Sequence, residues 1–390
     1  MPIPSTTKPQ NEVKNPAGES LICSIINSTD QLHEQKNEWQ ELFERKAGNL
    51  YFQSYEWFFS WWQYYGEPGG FKLAIITVRS AGDGRLLLVW PLVVKRYGIC
   101  CLGMWPCQDM GQYGDVLVSE NVEIEDCLEM AWEQIQKSRI DLLKFSQVRE
   151  DAVVYPFLNK KGKINGEPES TYWVSFEGVE SWDSYMMTRS KNFRKRQKRM
   201  LRQFSELGEV SFEVVDDRES IPGVITDLLR IKSEWFADIG VYGRISERPE
   251  TLGWLIDIAL KAQAQGKLNL TILRLDGQIV AGQFALINGH ELMAQIGAYD
   301  VQYRRFGVGR IQTEDSVRWA FENGYQYFDF MPPYDEYKTS WTNSEIKVEN
   351  FLCTLNSKGM LFRSVFSEEL RTKAKKIYNK IPRSIKERFS

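Results

Sequence analysis

The residues in this sequence with the clearest capacity for chemistry are Arg304-Arg305-Phe306-Gly307-Val308-Gly309. The pattern Arg-x-x-Gly-x-Gly lies between an alternating, strand-like run and a run of helical periodicity. Glycines let the backbone approach a ligand and aim successive N–H groups at one point, and a helix starting there adds the positive end of its dipole. An arginine at the head of the turn can pair with a further phosphate oxygen. The chemistry such a turn supports is the cradling of a pyrophosphate. Taken alone, two glycines in six residues also fit an ordinary strand-to-helix turn, so the neighbouring elements decide between the two.

Other chemistries are excluded by what is scarce. The only histidines are His33 and His290, which removes a His-Glu-x-x-His zinc site, a Ser-His-Asp hydrolase and a His-x4-Asp lipid acyltransferase. His290 follows Asn288-Gly289 and reads as a hairpin residue. The cysteines at 23, 100, 101, 107, 127 and 353 form no Cys-x-x-Cys pair and read as reduced, mostly buried thiols with no metal. A net charge of −3 gives no sign of DNA binding.

Charge is nevertheless unevenly placed. Arg189 to Arg202 holds eight Lys and Arg and no acid, with Phe193, Met200, Leu201 and Phe204 as an apolar stripe at helical spacing. It can bind a phosphate or nucleotide sugar, meet anionic lipid, or be a solvated face. One-sign charge costs stability through repulsion unless an anion compensates it. The tail from 362 to 390 is basic too, with Val365, Phe366, Leu370, Ile377 and Ile381 near helical spacing, so it could lie on a membrane surface or on the protein itself. Residues 1–18 are polar and read as a disordered lead with no apolar signal core. No apolar run reaches the roughly 18 residues a membrane span needs, which points to the cytoplasm, with the tail as a peripheral contact with the inner membrane.

The elements that must position the turn are legible in outline. Helical spacing covers Ser28–Ala47 and an aromatic stretch from Tyr55 to Trp62. A hairpin follows (Phe71–Val78, then Arg85–Lys95), then loop and strand to Val118. After these come a helix over Val122–Ser138, a strand at Asp141–Phe145 and a helix near Ala152–Lys160. Lys160–Ser170, rich in Gly, Pro and Lys, separates the domains. Beyond it the pattern predicts a long helix over Trp182–Leu207, a strand at Glu209–Val215 and helices at Ile221–Phe236 and Thr251–Gln265. A three-stranded meander follows (Lys267–Leu275, Gln278–Ile287, Glu291–Tyr299), with turns at Asp276-Gly277 and Asn288-Gly289. The glycine turn, a helix over Val308–Asn323 and a strand over Tyr325–Met331 close the series. The expected fold is α/β (α+β), with domains at 19–165 and 166–361.

Meander, glycine turn, helix and strand in that order resemble the acyl-CoA site of the GNAT superfamily. The second half resembles more narrowly the CelD-like acetyltransferases of cellulose and exopolysaccharide clusters, relatives of the FemABX peptidyltransferases. The resemblance rests on Arg189-Ser190-Lys191-Asn192-Phe193-Arg194-Lys195-Arg196, on the 304–309 turn, on Phe328-Asp329-Phe330, and on Tyr337-Lys338-x-x-Trp341. Phe52-Gln53-Ser54-x-x-Trp57, Trp61-Trp62 and Tyr113-Gly114-Asp115 fit it as well. Pro332-Pro333 departs from it, because relatives tend to have a glycine after the aspartate strand.

The resemblance implies tandem GNAT-like domains, each a mixed, mostly antiparallel sheet flanked by helices, with the donor site in the second. It implies acetyl-CoA or another acyl-CoA as co-substrate and a small amine or amino sugar as acceptor, joined by direct attack without a metal. Gln295 and Gly297 would grip the donor beside Arg304, Arg305, Phe306, Gly307, Val308 and Gly309. Tyr337 would protonate the departing thiolate, or be a packed aromatic. Lys338 would polarise the carbonyl or hold an anion, or be a surface lysine. Asp329, opposite in direction to its aromatic neighbours, is a base, an acceptor anchor or a buried hydrogen-bonded carboxylate. Glu291 and Asp300 are weaker bases. Arg189, Lys191, Asn192, Arg194 and Trp341 would meet the substrate or its anionic group. Two alternatives stand beside this: a FemABX-like transferase fed by aminoacyl-tRNA, and a non-catalytic subunit of a polysaccharide synthase assembly.

Overall fold

The computed structural model describes residues 12–14, 20–45, 48–110, 112–120, 122–241, 248–367 and 370. The remainder of the lead and the tail beyond 370 lie outside these residues. The chain forms two compact units, and the second comprises Asp109–Gln112 and Pro168–Val348 among its described residues.

In the first unit, β1 (Glu12–Lys14) pairs antiparallel with β2 (Ser20–Ile26), so part of the expected disordered lead is an edge strand. Two helices follow, α1 (Thr29–Glu34) and α2 (Lys36–Glu44), with Ser28 capping the first. Leu32, Trp39, Leu42 and Phe43 are buried, as their spacing requires. The aromatic helix α3 (Tyr55–Trp61) is capped by Ser54 and ends in one wide turn at Trp62–Gly66. The expected hairpin is four strands: β3 (Lys72–Leu73), β4 (Ile75–Ser80), β5 (Leu86–Trp90) and β6 (Val93–Tyr97). Next come β7 (Cys100–Met104), β8 (Leu117–Val118), α4 (Ile124–Gln136), β9 (Leu142–Arg149), α5 (Tyr155–Lys161) and β10 (Lys163–Ile164). Strands β1-β2-β4-β5-β8 make one sheet and β9-β7-β6-β3 another run of neighbours. Trp90 lies at the centre of this core, within 6.3 Å of the rings of Trp105 and Trp132 and within 6.1 Å of Phe157.

The second unit begins with β11 (Glu169–Ser175), which the composition of the break concealed. The long basic helix is two helices, α6 (Trp182–Thr188) and α7 (Lys191–Ser205). Arg189 is extended between them, and the Ser190 hydroxyl accepts from the Phe193 amide, which starts a new helix in place of continuing the old one. Phe193, Gln197, Met200 and Phe204 form the buried stripe of α7, while Leu201 is 46% exposed and lies off it. Then follow β12 (Val210–Val214), α8 (Ile221–Asp238), α9 (Pro249–Ala264) and the meander β13 (Leu268–Leu275), β14 (Gln278–Asn288) and β15 (Glu291–Tyr299). After it come α10 (Val308–Glu322), β16 (Tyr327–Asp329), the single turn α11 (Glu336–Thr339) and β17 (Ser344–Thr354). The strand order is β12-β13-β14-β15-β16-β11-β17, antiparallel throughout except for β15–β16.

The sequence reading carries the second domain to 361, but among the described residues those from Glu349 to Leu370 belong to the first unit. Phe351 and Cys353, on the last residues of β17, are buried in the Trp90 core, and α12 (Ser357–Phe362) follows them. Apolar burial, not sequence position, sets that boundary.

Candidate active site

Two irregularities of β15 make room beside it. Its parallel pairing with β16 covers only Glu291↔Tyr327, Leu292↔Phe328 and Met293↔Asp329, so the following residues have no partner on that side from β16. Its register with β14 slips between Phe284, opposite Ile296, and Ala285, opposite Ala294, which leaves Gln295 as the extra residue of a bulge. Gln295 donates from Nε2 to the carbonyl of Met110, while its Oε1 is buried without a partner among the described residues. Gly297 is exposed, and its carbonyl accepts from Lys232 Nζ at 2.7 Å.

The glycine turn begins as a short 3-10 segment, Val301–Phe306, capped by Asp300, whose carboxylate accepts from the Gln302 amide. Gly307 stands in the left-handed region (φ 73°) and opens α10. A Cβ on Gly307 would lie 2.3 Å from Met200 Sδ, and one on Gly309 would lie 2.8 Å from Tyr299 Cδ1. Both glycines are therefore needed to let α7 and β15 close on the head of α10. The Gly307 amide bonds the Arg304 carbonyl, and those of Arg310 and Ile311 bond the Gly307 carbonyl. Val308 and Gly309 hold the first helical amides, which have no acceptor within a helix.

The arginines of the motif face elsewhere. Arg304 pairs with Asp238 at 2.5 Å and interacts with the Tyr299 hydroxyl, both of which hold its pKa above the ordinary value. Arg305 lies 4.7 Å over the ring of its neighbour Phe306.

Tyr337, on α11, stands edge-on to Phe330 at 6.1 Å. Burial pushes its phenol far above the usual tyrosine range; Asp335 and Tyr299 add to this and Arg310 opposes it. It is a neutral O–H at physiological pH. Lys338 is 7% exposed and donates to the carbonyls of Met331 (2.7 Å) and Pro333 (2.8 Å). Burial lowers its pKa to about 8, against the charges of Asp329 and Asp335. The departure at Pro332-Pro333 is thus a cis-linked loop held by Lys338, with Met331 at φ 53°. Asp329 is fully buried, and its Oδ1 accepts from Thr171 Oγ1 (2.5 Å) and the Met331 amide (2.7 Å). Those bonds make it an anchor of the same loop.

The basic segment divides by function. Arg189 donates to the carbonyls of Trp341 and Thr342 and lies over the Tyr185 ring. Arg194 donates to the carbonyls of Met186 and Met187. Both close the ends of neighbouring elements. Trp341 is completely buried, edge-on to Phe193 at 4.8 Å, in place of facing a substrate. Lys191 and Asn192 are exposed. Sequence reasoning counted Arg196 within the basic stretch without giving it a role of its own, and passed over Arg310. Arg310 follows Gly309 directly, so its position alone was a signal. His290 forms the hairpin turn and accepts from the Gln326 and Tyr327 amides.

In the first unit the structure brings the other motifs together. Gln53 donates to the Val116 carbonyl and accepts from the Leu50 amide. Asp115 accepts from the amides of Val116, Val153 and Val154. Arg149 forks onto Asp151 and lies 5.2 Å from the Tyr113 ring centroid.

Among the described residues no group of three or more His, Cys, Asp or Glu could hold a metal ion, and no helix is long and apolar enough to cross a membrane. No curated protein matches this sequence. The chain shares its fold with FemX (14% identity, TM-score 0.58, 88% of this chain and 99% of that one). It also shares it with the C-terminal domain of a putative lysylphosphatidylglycerol synthetase from Agrobacterium fabrum (13%, 0.52, 84% and 93%). A conserved protein of unknown function from Bacteroides thetaiotaomicron is similar too (14%, 0.52, 85% and 100%). Residues 191–339, from the start of α7 to the end of α11, match the acetyltransferase (GNAT) domain model, so this chain is an acyltransferase with a GNAT domain.

Proposed function

We propose that the chain moves an acyl group, acetyl in the first instance, from acyl-CoA to the amine of a small acceptor, an amino sugar or amino acid. The observation that carries this reading is the head of α10, where Gly307 and Gly309 let the helix start against α7 and β15 with two amides unused by the helix. The splay between β15 and β16 supports a place for the thioester arm. In the reaction the amine nitrogen attacks the thioester carbonyl, a C–N bond forms, and collapse of the tetrahedral adduct breaks the C–S bond. The thiolate takes a proton from the Tyr337 hydroxyl, whose neutrality suits an acid, and the proton that the amine nitrogen sheds passes through solvent and restores the phenol. Lys338, bonded to two loop carbonyls, holds the wall of the site in shape. The CelD-like resemblance supports an acceptor from polysaccharide or cell-envelope metabolism and a protein that works in the cytoplasm. Peripheral contact with the inner membrane would come through the basic tail.

A second reading, transfer from aminoacyl-tRNA, draws support from Lys191, Lys195, Lys198, Arg199 and Arg202, which are exposed and belong to none of the ion pairs among the described residues. Titration calorimetry with acetyl-CoA, longer acyl-CoAs and charged tRNA separates the two. Acyl-CoA binding in the micromolar to millimolar range is expected. Tight tRNA binding with no detectable acyl-CoA binding would overturn the first reading.

A further inference from the structure

In the first unit α12 is fixed at the end of β7. Asn356, which caps α12, donates to the Asp141 carboxylate at 2.8 Å, and a Cβ on Gly359 would lie 1.9 Å from the Asp141 carbonyl oxygen. Asp141 in turn exchanges bonds with Cys101: its amide donates to the Cys101 carbonyl and its carboxylate accepts from the Cys101 amide. That seats α12 beside the β6–β7 turn, Gly98-Ile99. Phe366 ties a third element to the same place. Its ring stands edge-on to Tyr97 at 5.3 Å, and its carbonyl accepts from Asn165, next to Ile164 on β10. Apolar side chains face solvent around this junction. Met360 and Leu361 are 70% and 72% exposed, Ile99 59% and Val365 57%, and Ile164 is exposed too. Single exposed aliphatic residues are ordinary; five around one turn and one short helix mark an interaction surface.

The charge around these residues has one sign. Segments 95–100, 137–140, 159–166 and 354–367 together hold nine Lys and Arg and no Asp or Glu. Lys137, Lys160 and Lys161 pair with glutamates of α4, and Lys358 lies 3.9 Å from Asp141. Arg96, Arg139, Lys163 and Arg363 form no ion pair among the described residues. In the sequence Glu368 and Glu369 follow, and then eight Lys and Arg against one Glu from 371 to 390. Aliphatic side chains ringed by cations match the boundary of an anionic bilayer, where the apolar groups enter among the acyl chains and Lys and Arg stay level with the phosphates. They do not match a second copy of the same surface, which would bring like charges face to face.

We propose that this face of the first unit docks on an anionic phospholipid surface. Ile99, Met360, Leu361 and Val365 enter the boundary between headgroups and acyl chains, while Arg96, Arg139, Lys163 and Arg363 meet the lipid phosphates. The face adds to the peripheral contact read from the basic tail, uses residues outside that tail, and is independent of the acyl-transfer reading.

The test is sedimentation of the full chain with vesicles, either phosphatidylcholine alone or phosphatidylcholine and phosphatidylglycerol in equal parts. Wild type is compared with the double variants Met360→Ser/Leu361→Ser and Arg139→Gln/Lys163→Gln. Wild type should bind the anionic vesicles far better than the neutral ones and should lose most of that binding at high salt, where screening shortens the reach of the charges. The charge variant should bind about twenty-fold more weakly, roughly five-fold for each cation removed. The apolar variant should bind about ten-fold more weakly or worse. Both pairs are exposed, so both variants should melt with wild type; should the apolar pair disturb α12, the charge pair still decides. No sedimentation of wild type with anionic vesicles overturns both this face and the tail contact. Binding that neither variant weakens leaves the contact to the tail and overturns the face alone. Equal binding to neutral vesicles overturns it as well. So does a dimer in light scattering that Met360→Ser/Leu361→Ser abolishes while no vesicle is bound, because the face then belongs to a second copy.

Discussion

The two units each gather polar side chains among aromatic ones, and they treat them differently. In the first unit Asp115 accepts three amides, Gln53 bonds at both ends of its amide group, and Arg149 forks onto Asp151. In the second, Arg196, Arg310 and Gln295 each keep a buried polar atom without a partner among the described residues, and Tyr337, which feels the charge of Arg310, keeps a neutral hydroxyl. A polar cluster that closes on itself stabilises a shape. One left incomplete has binding capacity in reserve, at some expense of stability. On the acyl-transfer reading proposed above, the contrast fits architecture for the first cluster, which also lines a cavity with Tyr113 and Gly114, and chemistry for the second, although both carry motifs that fit the same family.

The largest effect expected from breaking this contrast is kinetic. Tyr337→Phe should lower turnover about a hundred-fold or more, the usual worth of a placed acid, while donor affinity in calorimetry holds. Unchanged turnover would take the acid role from Tyr337. Asp115→Ala should act on the other side of the comparison, through stability. Three amides lose their acceptor, and urea unfolding should report a loss of about 2–3 kcal/mol. Acetyl-CoA affinity unchanged in that variant would support the division; a stable variant that binds donor poorly would reverse it.

Gly307→Ala tests whether the glycine turn is a matter of packing. A side chain in the left-handed region costs about 1–2 kcal/mol, and the Met200 sulfur stands where the Cβ would go. Combined with Met200→Ala, the loss should be smaller than the sum of the two, with a coupling of about 0.5 kcal/mol or more. Strict additivity would separate the turn from α7. Replacing either glycine by a bulky residue is a poor probe of donor binding, because the change disturbs the helix start itself.

Lys338 offers the smallest and most specific signal. Its folded pKa of about 8 lies below the unfolded value near 10.4, so the unfolded chain holds more protons between these limits. Stability should therefore rise with pH across that window and carry its full penalty below pH 8. The difference between wild type and Lys338→Met, followed by urea unfolding from pH 7 to 10, should change by about 1–2 kcal/mol after allowance for partial hydration. A flat difference would mean that Lys338 titrates normally and does not sit buried under the loop.

Much of this was legible because the decisive signals are local. The meander is announced by Asp276-Gly277 and Asn288-Gly289, and Gly277 and Gly289 both adopt positive φ. The head of α10 is marked by the glycines themselves. What escaped was set by distant partners. β11 starts inside the stretch Lys160–Ser170 that reads as a break, and Thr171 to Trp173, just past it, find their pairs on β17 at Ile346, Glu345 and Ser344. The bulge at Gln295 exists only relative to β14. The expected roles of Arg189 and Arg194 followed from charge alone, which cannot reveal that carbonyls of the same chain lie within reach. Ser190 could have signalled the break between α6 and α7, but a capping serine inside a run of helix-favouring cations is easily outvoted.

Strand β17 has a consequence for how the protein is made. Its early residues pair with β11, while Phe351 and Cys353 complete the Trp90 core built mostly from residues before 160. During synthesis the second unit has nearly all its strands before those two side chains leave the ribosome. The first unit must wait for them with part of its core open, exposed to chaperones and to premature association for the time taken to translate almost two hundred residues. The region that emerges first is finished last.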